Sequence, residues 1–85
     1  MGMRFVYTDH AEEKLSIRPE ITKNMIEYAL ASPDEIVPGE EGTLVAHKIF
    51  GRRLLRVVFD VREGVFVIIT IYTSKPERYM RRRLW

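Results

Sequence analysis

The residues able to do chemistry are few, and the alternation of β-strands places most of them on one patch. Arg53–Val61 and Val65–Thr73 read as strands joined by a three-residue hairpin loop, Arg62-Glu63-Gly64. That loop pairs Val61 with Val65, Phe59 with Val67, Val57 with Ile69 and Leu55 with Ile71, an all-apolar face. The other face then holds Leu54, Arg56, Val58 and Asp60 against Tyr72, Thr70, Ile68 and Phe66. Arg56 falls opposite Thr70, with Tyr72 next along the strand. If Gly51-Arg52 is a two-residue turn, His47 pairs with Arg56 on this face; with one more loop residue, Lys48 takes that place. Either way a cation, a hydrogen-bonding group and a phenol converge. The plainer alternative is a solvated sheet face with an arginine lying over aliphatics. Phe66, Ile68 and Val58, at the other end, would then suit a homodimer contact.

Composition narrows the chemistry further. The chain has 85 residues, 46% apolar and 31% charged, with no cysteine and two histidines. Thiol nucleophiles, disulfides and thiolate metal sites are excluded together. Two histidines without cysteine fall short of the usual donor set of structural zinc, and no cofactor is implied. A chain of this length buries roughly 60–65% of its unfolded surface, enough for one core and one domain over 1–85. The net charge of +2 hides an asymmetry. Residues 1–43 balance to −5, residues 44–62 to +4, and the tail 75–85 to +4. An acidic front and a basic back suit a polyanion or an acidic protein as partner. The longest apolar run, Val65–Ile69, is far short of a membrane span, and no targeting signal opens the chain. The expectation is a soluble, cytoplasmic protein that does not engage a membrane.

Periodicity and punctuation supply the framework around the patch. Residues 4–7 read as a first strand. A helix starts at Thr8 or Asp9, with Asp9 and Glu12 in the spacing of a capping box, and stops near Arg18 before Pro19. A second helix runs from about Glu20 to Ala31 on the stripe Ile21, Met25, Tyr28 and Ala29. A short extended piece at 35–37 and a loop at 38–42 lead into the strand Leu44–Phe50 and the hairpin. The expected class is α+β, in the order β-α-α-β-β-β. Two helices pack on one face of an antiparallel sheet, with a compact core at 3–74 and a basic tail at 75–85.

Two segments carry a resemblance. Tyr7-Thr8-Asp9-His10-Ala11 places a His-Ala pair at a helix start, and Leu55-Arg56-Val57-Val58-Phe59-Asp60 is followed by Val67-Ile68-Ile69-Thr70-Ile71-Tyr72. Over most of residues 4–79 the chain resembles a family of small prokaryotic domains of unknown function, described beside the BrnT-like toxins. That family in turn looks like the RelE/ParE-like toxins. The resemblance implies metal-independent cleavage of RNA by attack of the 2′-hydroxyl, and a small antitoxin protein as partner. Such chemistry needs a base for the hydroxyl, a cation for the phosphorane and an acid for the leaving oxygen. His10 matches the family's helix-start histidine and, as an imidazole, is the acid–base candidate. Arg56 would stabilise the phosphorane, and Tyr72, beside Thr70, would orient a phosphate or donate a proton. Arg78 and Tyr79 would cap the patch, and Arg18 would tie the helix junction. RNA or the ribosome would be the target. A non-catalytic module that binds protein or nucleic acid through the open face and the tail Met80–Trp85 is the alternative. An inhibitor of a topoisomerase on the same fold is a third.

Overall fold

The computed structural model describes residues 2–80. Its elements are β1 (Arg4–Tyr7), α1 (Asp9–Ile17), α2 (Lys23–Ala31), β2 (Glu35–Pro38), β3 (Leu44–Phe50), β4 (Arg53–Arg62), β5 (Val65–Ser74) and the one-turn α3 (Pro76–Tyr79). A 3₁₀ turn, Glu40–Gly42, lies between β2 and β3. The five strands form one sheet in the order β1-β5-β4-β3-β2. The expected α+β class holds, but the sheet is mixed: β1 runs parallel to β5, and the other pairs are antiparallel. The parallel pair results from the chain path, since β1 connects to β5 through two helices and three strands rather than a hairpin.

Both long helices are capped by threonine. Thr8 accepts from the Ala11 amide and Thr22 from the Met25 amide, so the expected Asp9–Glu12 capping box is replaced by a Thr8 cap. The second helix therefore begins at Lys23 rather than Glu20. Ala11, Ile26, Ala29 and Leu30 from the helices meet Ala46, Leu55, Val57, Phe59, Ile68 and Ile71 from the sheet in a single core. Each fully buried aliphatic side chain contributes about 1.5–3 kcal/mol of transfer free energy.

The β4–β5 hairpin departs from the expected register. Arg62 pairs with Val65, leaving a two-residue turn, and Glu63 (φ 52°) and Gly64 (φ 76°) both take the left-handed conformation. That is the turn whose twist matches a tight hairpin. Phe66 and Ile68 therefore face the helices. Ile68 is fully buried and the partly buried Phe66 stacks on Phe5, so both pack on the core side of the sheet rather than on the face with Arg56. A bulge comes next: Phe59 pairs with Ile68 but Val58 pairs with Thr70, which leaves Ile69 as an extra residue. Beyond it Val57 pairs with Ile71, Arg56 with Tyr72 and Leu55 with Thr73. The Thr8 hydroxyl lies 2.9 Å from the Ile69 carbonyl and 3.0 Å from that of Ile68, so the cap of α1 also serves the bulge.

Candidate functional site

The face of the sheet away from the core carries one row of polar side chains across four strands. Glu35 on β2 is in register with His47 on β3, His47 with Arg56 on β4, and Arg56 with Tyr72 on β5. Carboxylate, imidazole, guanidinium and phenol thus succeed one another along the hydrogen-bonding direction of the sheet. The Gly51-Arg52 turn fixes this order. With Gly51 at φ 61°, Phe50 pairs with Arg53, which brings His47 rather than Lys48 opposite Arg56. Lys48 turns to the helix side, 3.3 Å from Asp34 and 4.8 Å from the Tyr28 ring centroid, and leaves the site.

Two contacts define the states of the row. His47 is completely buried, with its Nδ1 2.7 Å from Glu35 Oε2 and its Nε2 3.2 Å from Arg56 Nε. A guanidinium can only donate, so Nε2 accepts from Arg56. The imidazole proton then sits on Nδ1, from which it donates to Glu35. Both ring nitrogens are engaged inside the protein, so His47 meets the outside only through Arg56. The guanidinium lies 3.8 Å from the Tyr79 ring centroid and 6.0 Å from that of Tyr72. Lys14 of α1 reaches Tyr72 from another side, its Nζ 4.5 Å from the ring centroid.

These groups open onto a pocket of about 800 Å³, large enough for a nucleotide-sized ligand. Arg56, Thr70, Tyr72, Arg78 and Tyr79 line it, with Glu40 and Glu41 contributed by the 3₁₀ turn. Thr70 is only 7% exposed, and its hydroxyl is buried with no hydrogen-bond partner among the described residues. Gly39 is required where the loop enters: a Cβ there would run into the Thr43 hydroxyl, which is held 2.7 Å from the Glu40 carbonyl.

The structure therefore brings together Arg56, Thr70, Tyr72, Arg78 and Tyr79, with His47 beneath them. It does not bring His10. That residue is exposed on the first turn of α1 and does not line the pocket. The reason is that α1 packs on the core side of the sheet, with Ala11 fully buried there, while the pocket opens on the other face. Arg18 is exposed and closes α1 through its backbone. The tail residues Arg81, Arg82, Arg83 and Trp85 lie outside the described residues. Sequence reasoning missed Glu35 and Lys14. Glu35 sits in a strand of four residues, too short for its alternation to assign a face. Lys14 looks like any solvated helix charge until α1 is placed along the free edge of β5. Among the described residues, no cluster of three His, Cys, Asp or Glu side chains is placed to hold a metal ion, and no helix is long and apolar enough to cross a membrane.

No curated protein and no solved structure matches the chain. Residues 7–73 match a family described as "Domain of unknown function (DUF4258)". That span holds Glu35, His47, Arg56, Thr70 and Tyr72, and stops before Arg78 and Tyr79. It is well over half of the sequence, and the chain belongs to the DUF4258 family.

Proposed function

We propose that this protein binds RNA on the open sheet face and cleaves it without a metal ion, as the toxin of a toxin–antitoxin pair with a RelE/ParE-like arrangement. The observation that carries the reading is Arg56. Its Nε is committed to His47, which leaves both terminal amino groups for the two non-bridging oxygens of a phosphodiester. Lys14 and Arg78 add positive charge around the same pocket, and Tyr72 and Tyr79 offer rings for base stacking and phenols for proton transfer. In this scheme Arg56 neutralises the charge developing on the phosphorane. Tyr72, with Lys14 over its ring, donates the proton to the leaving 5′-oxygen in place of His10, and the proton of the attacking 2′-hydroxyl passes to water.

A second reading rests on a specific observation: neither histidine is available as a base, since His10 is away from the pocket and His47 is engaged at both nitrogens. On that reading the face binds RNA or a protein partner and does no chemistry. Incubation with RNA in EDTA, beside Arg56→Ala of matched circular dichroism, separates the two. Cleavage to 2′,3′-cyclic phosphate ends that falls at least about 100-fold in the variant supports the nuclease. Salt-sensitive binding of intact RNA, weakened by the same substitution, supports the module. Intact RNA with no binding, ribosomes included, rejects the nuclease and RNA binding alike, and leaves a protein as the partner of the face.

A further inference from the structure

The Glu35–His47 pair is the most deeply buried polar feature among the described residues, with side chains 6% and 1% exposed, yet it touches no substrate-accessible surface. A buried carboxylate and imidazole are costly to keep unless they do something for the group they adjoin. We propose that Glu35 and His47 are positioning residues for Arg56, and that they act by fixing a tautomer. The carboxylate 2.7 Å from Nδ1 holds the imidazole proton on that nitrogen. Nε2 is thereby left as a lone pair, and it accepts the Arg56 Nε–H at 3.2 Å. An arginine side chain alone has wide rotamer freedom. Held at Nε and stacked on the Tyr79 ring, this one presents a fixed fork of terminal amino groups to an oxyanion. The opposite tautomer would set an Nε2–H against the Arg56 Nε–H, two donors face to face, and the fork would swing away.

The inference rests on the reading of Arg56 as a phosphate-binding group, but its first test is independent of RNA. In the full-length, ¹⁵N-labelled protein at neutral pH, His47 Nδ1 should resonate as a protonated nitrogen and Nε2 as an unprotonated one. The Arg56 Nε–H should give a slowly exchanging signal. A protonated Nε2 overturns the proposal.

The second test measures binding of an oligouridylate. His47→Gln keeps a carbonyl that can accept from Arg56 and should retain most of the affinity. His47→Leu should lose at least about tenfold, together with the Arg56 Nε–H signal. Glu35→Leu separates positioning from charge, because it removes the acceptor for Nδ1–H together with the negative charge, whereas Glu35→Gln removes the charge and keeps a carbonyl acceptor. A purely electrostatic role predicts tighter binding by both variants, while tautomer control predicts weaker binding and a broadened Arg56 signal for Glu35→Leu alone. Tighter binding by Glu35→Leu, or equal affinity of the Gln and Leu variants at position 47, overturns the proposal. If no oligonucleotide binds wild-type protein, the function proposed above fails, and the tautomer measurement alone still decides whether His47 holds Arg56.

Discussion

Thr70 is the residue on which stability and function should pull apart. Its hydroxyl is buried without a partner among the described residues, on the floor of the pocket. An unsatisfied buried hydroxyl costs about 1–3 kcal/mol. Thr70→Val removes it at nearly constant shape, so urea denaturation should show stability unchanged or raised by up to about 1 kcal/mol. If the hydroxyl serves a ligand, the same variant should bind RNA more weakly, and a loss of stability would refute this account of the site. Among single residues the sequence was half legible. Arg56, Thr70 and Tyr72 were placed on one face because two departures cancel: the hairpin turn is one residue shorter than expected, and the bulge at Ile69 puts one residue back. Glu35 was not, because its role depends on register with β3, which a four-residue strand does not encode. The reach of Lys14 depends on where a helix lies in space.

At the level of elements, the loop from β2 to β3 is the least forgiving part. Gly39 packs against the Thr43 hydroxyl and the Val45 side chain, and its amide donates to the Thr43 carbonyl at 2.8 Å. Gly39→Ala should cost about 1–3 kcal/mol as an overpacked site, measured by denaturant midpoint, and should disturb the wall that carries Glu40 and Glu41. The strands and helices themselves were legible from periodicity and turn residues. The hairpin register was not, and the reason is physical. Val65, Val67 and Ile69 are as apolar as Phe66 and Ile68, so burial alone does not choose between the two sets. The choice is made by the Glu63-Gly64 turn geometry and by a bulge whose carbonyl finds its partner in Thr8, 61 residues earlier in the chain.

For the whole molecule, Tyr7 ties the first strand to the second helix by donating to Glu27 at 2.7 Å. Burial, then the hydrogen bond to the Glu27 carboxylate, pushes its phenol well above the ordinary value. The unfolded chain releases this proton near pH 10, and the folded chain only at higher pH. The contribution to stability is therefore complete below about pH 10 and is lost as pH rises above it, because only the unfolded state gains by ionising. Tyr7→Phe should cost about 1 kcal/mol at neutral pH and flatten that alkaline decline in a series of denaturation curves. An unchanged alkaline limb would show that the phenol is not the group responsible. The expected division into an acidic front and a basic back also has a spatial meaning. Acidic Glu35, Glu40 and Glu41 come from the first half and cationic Arg56 and Arg78 from the second, and they meet around the same site.

Strand alternation can be treated as a reading frame of two letters, in and out. Ile69 is then an inserted letter: Phe66 and Ile68 are read inward in one frame, Ile71 and Thr73 in the other. Deleting Ile69 would restore one continuous frame with every remaining pair across β4 unchanged. Deleting Ile71 would send Tyr72 into the core. Circular dichroism and urea midpoints should show the first deletion folded and the second collapsed. A chain of this architecture can thus lose the residue at position 69 while Thr70, Ile71 and Tyr72 keep their faces.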